Sequence, residues 1–270
     1  MAEVRIKMPR RIDEAKARTD ARIESDHATV VQALLTSNLP PAEMSTARLS
    51  AEANVIIQAA TETTASVLSV ITYYLLANPN TYASVLSELS TIVTDPLNLP
   101  SWSALESLPY LNAVILEGLR MACPNDRFTR IAVNEDLHYR GTWTKQGGRT
   151  ININMTVPRG YAVAISALAV HMNDSYFPNC AAFQPERWLD AQGQRTTLLE
   201  QYMIPFSKGG RACLGIQLAY CQLYVALAAA VMRVLPDMRI HENTEGDSEH
   251  RESGEDMPKK KSKGAKVVMV

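Results

Sequence analysis

The sequence predicts a mainly α fold with a small β portion, and two observations carry that expectation. Long stretches free of Gly and Pro are separated by Pro-marked breaks (Pro40-Pro41, Asn78-Pro79, Pro109, Pro236), as helices between stops would be. Strand-like alternation is confined to residues 131–170. At 270 residues and 46% hydrophobic, the chain is long enough for one large domain or two ordinary ones.

Composition narrows the class. A net charge of −1 gives no global field for nucleic acid or an anionic membrane. Four cysteines (Cys123, Cys180, Cys213, Cys221) make no disulfide framework and favour a reducing compartment. None of the five histidines stands at metal-ligand spacing with another His or Cys. Residues 1–20 are strongly charged and lack the apolar core of a signal peptide. No uninterrupted apolar stretch reaches the roughly 18 residues of a membrane span. The expectation is a cytoplasmic chain with no membrane segment.

In chain order, residues 1–40 read as a charged helical lead-in, with Ile23, His27, Val30, Val31, Leu34 and Leu35 roughly on one face. Pro40-Pro41 ends it, and Ser45 is the expected N-cap of the next segment. Residues 46–77 form one breaker-free helix, apolar nearly all round, interrupted by the polar insert Thr61-Glu62-Thr63-Thr64. Two readings of that insert stand. Threonine hydroxyls can bond back to the carbonyl four residues earlier while Glu62 reaches solvent. Alternatively, the helix opens locally at a pocket.

Residues 80–100 predict another helix, and 101–121 a pair broken at Pro109, whose second member carries Glu117-Gly118-Leu119-Arg120. Read alone, such an i,i+3 pair belongs on a surface. Val133, Leu137, Tyr139, Trp143, Ile151, Ile153, Met155 and Val157 alternate, with Gly147-Gly148 as a hairpin turn. Residues 161–170 are a short apolar element before His171. A Pro-marked meander follows to Trp188, then a Gly-rich loop around Cys213 and an apolar helix to Leu235. Residues 241–264 turn acidic and then basic, a solvated polar loop closed by a short strand at 265–270.

The loop at 206–215 is the most informative stretch. Three of the twelve glycines flank one cysteine within seven residues, and glycine permits close approach of the backbone to something bulky. A cysteine just ahead of a helix, near an Arg, suits thiolate chemistry. Phe206, Gly209, Arg211, Cys213 and Gly215 spell Phe-x-x-Gly-x-Arg-x-Cys-x-Gly, which closely resembles the haem-binding loop of cytochromes P450.

Three more motifs resemble that family in its order: Ala59-Ala60-Thr61-Glu62-Thr63-Thr64 its oxygen-activation motif, Glu117-x-x-Arg120 its Glu-x-x-Arg, and Pro185-Glu186-Arg187-Trp188 its Pro-Glu-Arg-Phe segment, with Trp for Phe. Ala60 stands where the family commonly has Gly. The resemblance implies a cytochrome P450 fold without its N-terminal helices, so residues 1–270 form a partial domain resembling the C-terminal half. Within it, 46–77 is the oxygen-groove helix and 206–235 the Cys-ligand loop and helix.

It implies haem b with Cys213 as thiolate ligand to iron. Arg211 pairs with a propionate, and Arg127 with another, Arg130 being the alternative. Phe206 packs near the sulfur, and Gly209 and Gly215 shape the loop. Glu62 and Thr63 handle protons where dioxygen binds. Glu117, Arg120 and Arg187 form a buried scaffold network. The implied partners are a small hydrophobic substrate, such as a terpenoid or other secondary metabolite, O2, and NADPH-cytochrome P450 reductase. Full-length relatives are usually anchored to the endoplasmic reticulum facing the cytosol. The monooxygenase reading competes with a haem-thiolate isomerase or dehydratase, against which the intact Glu62–Thr63 pair argues. It also competes with a truncated, non-catalytic fragment.

Overall fold

The computed structural model describes residues 2–20, 29–144, 148–241 and 266–269. The chain divides into two compact units, residues 1–65 and 66–270. In the first, α1 (Ala2–Asp20) and α2 (Val30–Leu35) accompany the N-terminal part of α3 (Thr46–Ala77). Met8, Ile12 and Leu49 form a small core, with Val31, Leu34, Leu35 and Ala53 against it. Thr46 sits between Lys16 and Asp13, accepting from Lys16 Nζ at 3.0 Å and donating to Asp13 Oδ1 at 2.6 Å.

The lead-in differs from the continuous helix that the sequence predicts. Helix α1 begins early and carries Pro9 inside it. Helix α2 stops at Leu35, five residues before Pro40, because the Thr36 hydroxyl bonds back to the carbonyls of Gln32 and Ala33. Ile23 and His27, expected on the apolar face, lie outside the described residues. Ser45 behaves as expected, its hydroxyl accepting from Arg48 N at the start of α3.

The second unit is built around α6 (Pro109–Ala122), in which every residue from Leu111 to Met121 is buried. Around it pack the C-terminal part of α3 (Val67, Ile71, Leu75), α4 (Pro79–Ser90), α5 (Trp102–Glu106) and α8 (Ile216–Arg233). Helix α4 ends ten residues short of the predicted bound, where Ser90 and Thr91 hydroxyls take the carbonyls of Leu86 and Glu88. The N-terminus of α6 has Pro109 in its first turn, and the Glu88 carboxylate accepts from the amides of Tyr110 (2.8 Å) and Leu111 (2.7 Å). An anion from α4 thus satisfies orphan amides and complements the helix dipole.

Among the described residues, the β portion is three two-stranded ladders. β1 (Arg127–Ile131) pairs antiparallel with β4 (Ala162–Ser166), β2 (Leu137–Thr144) with β3 (Thr150–Val157), and β5 (Met238–His241) with β6 (Lys266–Met269). Of the expected turn Gly147-Gly148, Gly147 lies outside the described residues, as does the polar loop from 242 onward. The β2–β3 register puts Leu137, Tyr139 and Trp143 opposite Val157, Met155 and Ile151 on one face. Of these, Tyr139, Trp143 and Met155 remain about half exposed.

By length and composition, α3 and α8 are each long and apolar enough to cross a membrane. The uninterrupted-run criterion applied to the sequence passes over both, because polar residues are spaced through them. Both place side chains in the core: Val67, Ile71 and Leu75 from α3, and Leu223, Leu227 and Val231 from α8.

Gly118 marks where α3 and α6 meet. A Cβ there would lie 2.2 Å from Ile71 Cγ1 and 2.5 Å from its Cδ1, with Ile71 fully buried. Gly→Ala inside a helix ordinarily gains about 0.5–1 kcal/mol, but overpacking costs about 1–3 kcal/mol, and at this distance the clash wins. Gly118→Ala is therefore expected to destabilise by about 1–2 kcal/mol in urea titration. Ile71→Ala in the same chain should offset part of that loss, giving a non-additive double mutant.

Candidate functional site

The sequence singles out three clusters, and the geometry treats them differently. Glu117 and Arg120, one turn apart on α6, are both fully buried. Arg120 Nε donates to Glu117 Oε2 at 3.0 Å and its Nη2 to Oε1 at 2.8 Å, a two-pronged contact suited to a planar guanidinium. Arg120 Nη1 donates to the carbonyls of His171 (2.9 Å) and Cys180 (2.8 Å), and Nη2 to that of Ala182 (3.1 Å). The guanidinium also lies 5.5 Å from the Phe177 ring centre.

Glu117 accepts three further bonds, from Arg187 Nε (3.1 Å), Gln184 N (2.9 Å) and Trp188 Nε1 (2.9 Å). Arg187 in turn donates to the carbonyls of Pro178 (2.8 Å) and Asn179 (3.2 Å). The structure thus brings Glu117, Arg120 and Arg187 together, and they hold the 177–188 meander to α6. The surface pair expected of an isolated Glu-x-x-Arg does not occur. Trp188 adds something that a Phe in its place could not, an indole N–H bonded to the carboxylate. The spacing of the motif gave no signal of this.

The second cluster is the loop before α8. Cys213 N donates to Phe206 O at 2.9 Å, closing the loop on itself. Ser207 (φ 61°) and Gly209 (φ 78°) both take left-handed backbone conformations, and a short 3₁₀ turn spans Gly209–Arg211. Space is open where side chains at Gly209 and Gly210 would stand. Phe206 is half-buried against Tyr220, ring centres 5.5 Å apart. Gly215 caps α8, and Cys213 is a free, exposed thiol beside the fully exposed Leu214.

The guanidinium groups described near this loop are Arg211, which is exposed, and Arg130, while the loop's own Lys208 Nζ donates to Gln201 O at 2.6 Å. Arg130 Nη2 donates to Ser207 Oγ and Arg211 O, each at 3.4 Å. Arg127, the first choice from sequence, instead lies 3.7 Å from Asp126 with its side chain largely in solvent. The reason is local: Asp126, at the mouth of the β1–β4 ladder, accepts from Ser166 Oγ (2.6 Å) and Leu168 N (3.0 Å) and draws its neighbour toward it. The Ser166 hydrogen bond holds the Asp126 carboxyl below the usual range, the Arg127 charge adding to it.

A single free thiol, two guanidinium groups at the same loop and an uncovered glycine-rich backbone fit a thiolate-ligated iron porphyrin with its carboxylate arms.

The third cluster, Glu62 and Thr63, lies in the first unit. Helix α3 runs through it unbroken. Thr61 and Thr63 hydroxyls bond back to the carbonyls of Ile57 and Ala59, both at 2.6 Å, and Glu62 is exposed. The local opening of the helix is therefore absent. Back-bonding satisfies the hydroxyls within the helix, so no distortion is needed.

One buried group escaped the sequence reading. His171 closes α7 (Ala167–His171) and is fully buried. Its Nε2 accepts from Ile204 N at 3.0 Å, and its Nδ1 lies 3.2 Å from Arg120 O and 3.0 Å from Cys123 Sγ. Burial, helped by the charge of Arg120, pushes its pKa down to about 4. A lone His after an apolar run carries no spacing that reveals such a role.

Three substitutions test the stability of this network. Glu117→Ala leaves Arg120 and Arg187 without their anion and should cost about 3–5 kcal/mol in urea titration, whereas Trp188→Phe removes one bond to a charged group and should cost about 1.5–3 kcal/mol. For His171 the folded state favours the neutral ring. Its contribution is full above the unfolded value of 6.5 and is lost as pH falls through about 4. That part amounts to about 3 kcal/mol. His171→Gln should flatten this segment of the stability-against-pH curve.

Comparison with known proteins places these features in a family. The family model described as Cytochrome P450 matches residues 3–234. The chain is 41% identical over 242 residues to the cytochrome P450 monooxygenase ppzE of Metarhizium majus, covering 86% of this chain and 49% of that protein. It is 40% identical over 239 residues to ppzE of Metarhizium rileyi, covering 84% and 59%. It is 40% identical over 203 residues to the cytochrome P450 monooxygenase oblB of Emericella variicolor, covering 74% and 34%. The chain thus spans from about a third to about three fifths of the length of these curated relatives.

Proposed function

The chain belongs to the cytochrome P450 family, and from that premise we propose that it carries the thiolate-ligand half of a haem monooxygenase. The reaction is insertion of one oxygen atom from O2 into a small hydrophobic organic substrate. Electrons come from NADPH-cytochrome P450 reductase. A terpenoid or other secondary metabolite is the substrate class, a reading supported by the resemblance of the chain to fungal members of the family. Full-length members of the family are usually anchored to the endoplasmic reticulum facing the cytosol, and the same placement is proposed for a protein carrying this half.

The observation that carries the proposal is Cys213 itself, a free and exposed thiol at the end of a self-closed loop that opens an 18-residue helix. Haem b, when bound, supplies the oxygen activation and redox chemistry. The Cys213 sulfur serves as its ligand. Arg211 and Arg130 offer planar forks to the propionates, with Arg130 preferred over Arg127 because it already contacts the loop. Gly209 and Gly215 keep side chains off the approach to the sulfur, and Phe206 walls one side. Glu62 and Thr63 hold and pass protons, with the Thr63 hydroxyl exchanging its bond to Ala59 for one to water.

A second reading, a chain that holds no haem on its own, is favoured by its covering about half of each relative. One titration separates the two. Purified chain mixed with haem and reduced under carbon monoxide should give the red-shifted Soret band of thiolate ligation, lost in Cys213→Ala. No band in the parent chain favours the second reading. Given a reductase, NADPH consumption with no oxygenated product from any hydrophobic substrate counts against monooxygenation.

A further inference from the structure

We propose that His171 is a positioning residue that couples the buried Glu117–Arg120 pair to the entry of the Cys213 loop. The coupling is drawn in backbone and ring atoms. Arg120 and His171 hold each other reciprocally: Arg120 Nη1 donates to the His171 carbonyl at 2.9 Å, and the His171 ring nitrogen Nδ1 lies 3.2 Å from the Arg120 carbonyl. The opposite edge of the same ring accepts from Ile204 N at 3.0 Å. Ile204 begins the turn that launches the loop, its carbonyl accepting from Ser207 N at 3.2 Å. Ser207 then adopts φ 61°, and the Phe206 carbonyl takes the amide of Cys213. From the α6 carboxylate to the cysteine amide, the path runs Glu117, Arg120, His171, Ile204, Phe206, Cys213.

The geometry also fixes the state of the ring. A backbone N–H faces Nε2, so that nitrogen is the bare acceptor. A backbone carbonyl faces Nδ1, so that nitrogen carries the proton. A second proton would set two N–H groups head to head in a fully buried site. The charged and titratable groups facing it are Glu117 and Arg120 from α6 and the thiol of Cys123, which caps its C-terminus, and the Phe177 ring closes the side with its centre at 6.0 Å. The downward pKa of the ring agrees with this arrangement. The work of His171 is to hold the loop entry at a set distance from α6. Only the consequence for the sulfur rests on the haem-thiolate reading; the coupling belongs to the chain by itself.

Amide hydrogen exchange on the chain as purified, without haem, tests the coupling. His171→Gln keeps an acceptor within reach of Ile204 N–H, whereas His171→Asn keeps a donor toward Arg120 O but cannot reach Ile204. The expected result is exchange across residues 204–213 about tenfold faster in His171→Asn. Protection of 109–122 should be unchanged, and His171→Gln should stay near the parent rate. Equal rates in both variants and the parent overturn the proposal. So does loss of protection in 109–122 together with the loop, which marks general destabilisation. With haem added, the red-shifted carbon-monoxide band should persist in His171→Gln and diminish in His171→Asn. If the parent gives no such band, the haem reading fails, while the exchange comparison still decides the coupling.

Discussion

Everything in the larger unit depends on one carboxylate being buried without being stranded. Glu117 has no exposure to water and accepts five hydrogen bonds, from Arg120 twice and from Gln184, Arg187 and Trp188 once each. An ion of this kind loses several kcal/mol of hydration on burial, so its pairing is close to break-even as a source of stability. What it fixes is geometry. The meander from Phe177 to Trp188 has almost no regular structure, and its carbonyls point inward to Arg120 and Arg187 rather than to a ladder. Removing the central anion would leave two guanidinium groups facing each other across that segment. Helix α6 can carry the pair because its neighbours from Ala113 to Leu116, with Leu119 and Met121, are apolar and its N-terminus is already completed by Glu88.

The thiol loop is organised differently. It has little burial of its own, and its shape comes from backbone conformation: two left-handed residues, one short turn and a closing amide bond. Such a loop has few contacts to restrain it, so the points where it is tied matter more than its interior. Arg130 ties it from β1, Phe206 from the core, and the Ile204 amide from α7. A rigid network and a lightly held loop are therefore neighbours in function: the first supplies fixed points, and the second exposes a sulfur.

Much of this was legible in the sequence, and the limits are physical. The break at Pro109, the extent of α3 and the β2–β3 hairpin follow from breakers and periodicity, which act locally. The Glu-x-x-Arg pair read alone predicts a surface contact, because i,i+3 spacing takes no account of the apolar residues around it, Ala113 to Leu116, Leu119 and Met121, which mark α6 as buried. Helices α2 and α4 end earlier than the prolines predict for a related reason: Thr36, Ser90 and Thr91 end helices by capturing carbonyls before a proline is reached. Sequence position favours Arg127 over Arg130, whereas in the structure Arg127 faces Asp126 and Arg130 contacts the loop, partners that spacing does not reveal. The polar insert at 61–64 admitted two conformations, and the back-bonded one is found. His171 was invisible, since its partners are backbone groups far away in sequence.

The presence of Trp at position 188 gives the molecule an optical handle. Of its three tryptophans, Trp188 is fully buried with its indole N–H on the Glu117 carboxylate, whereas Trp143 stands half in water on the β2–β3 hairpin. Their emission must differ in colour, because one indole relaxes against fixed charges and the other against mobile solvent. Light from the buried indole therefore reports the state of the charge network, and light from the exposed one reports the hairpin. The residue that departs from the family's usual phenylalanine makes the scaffold observable without any label.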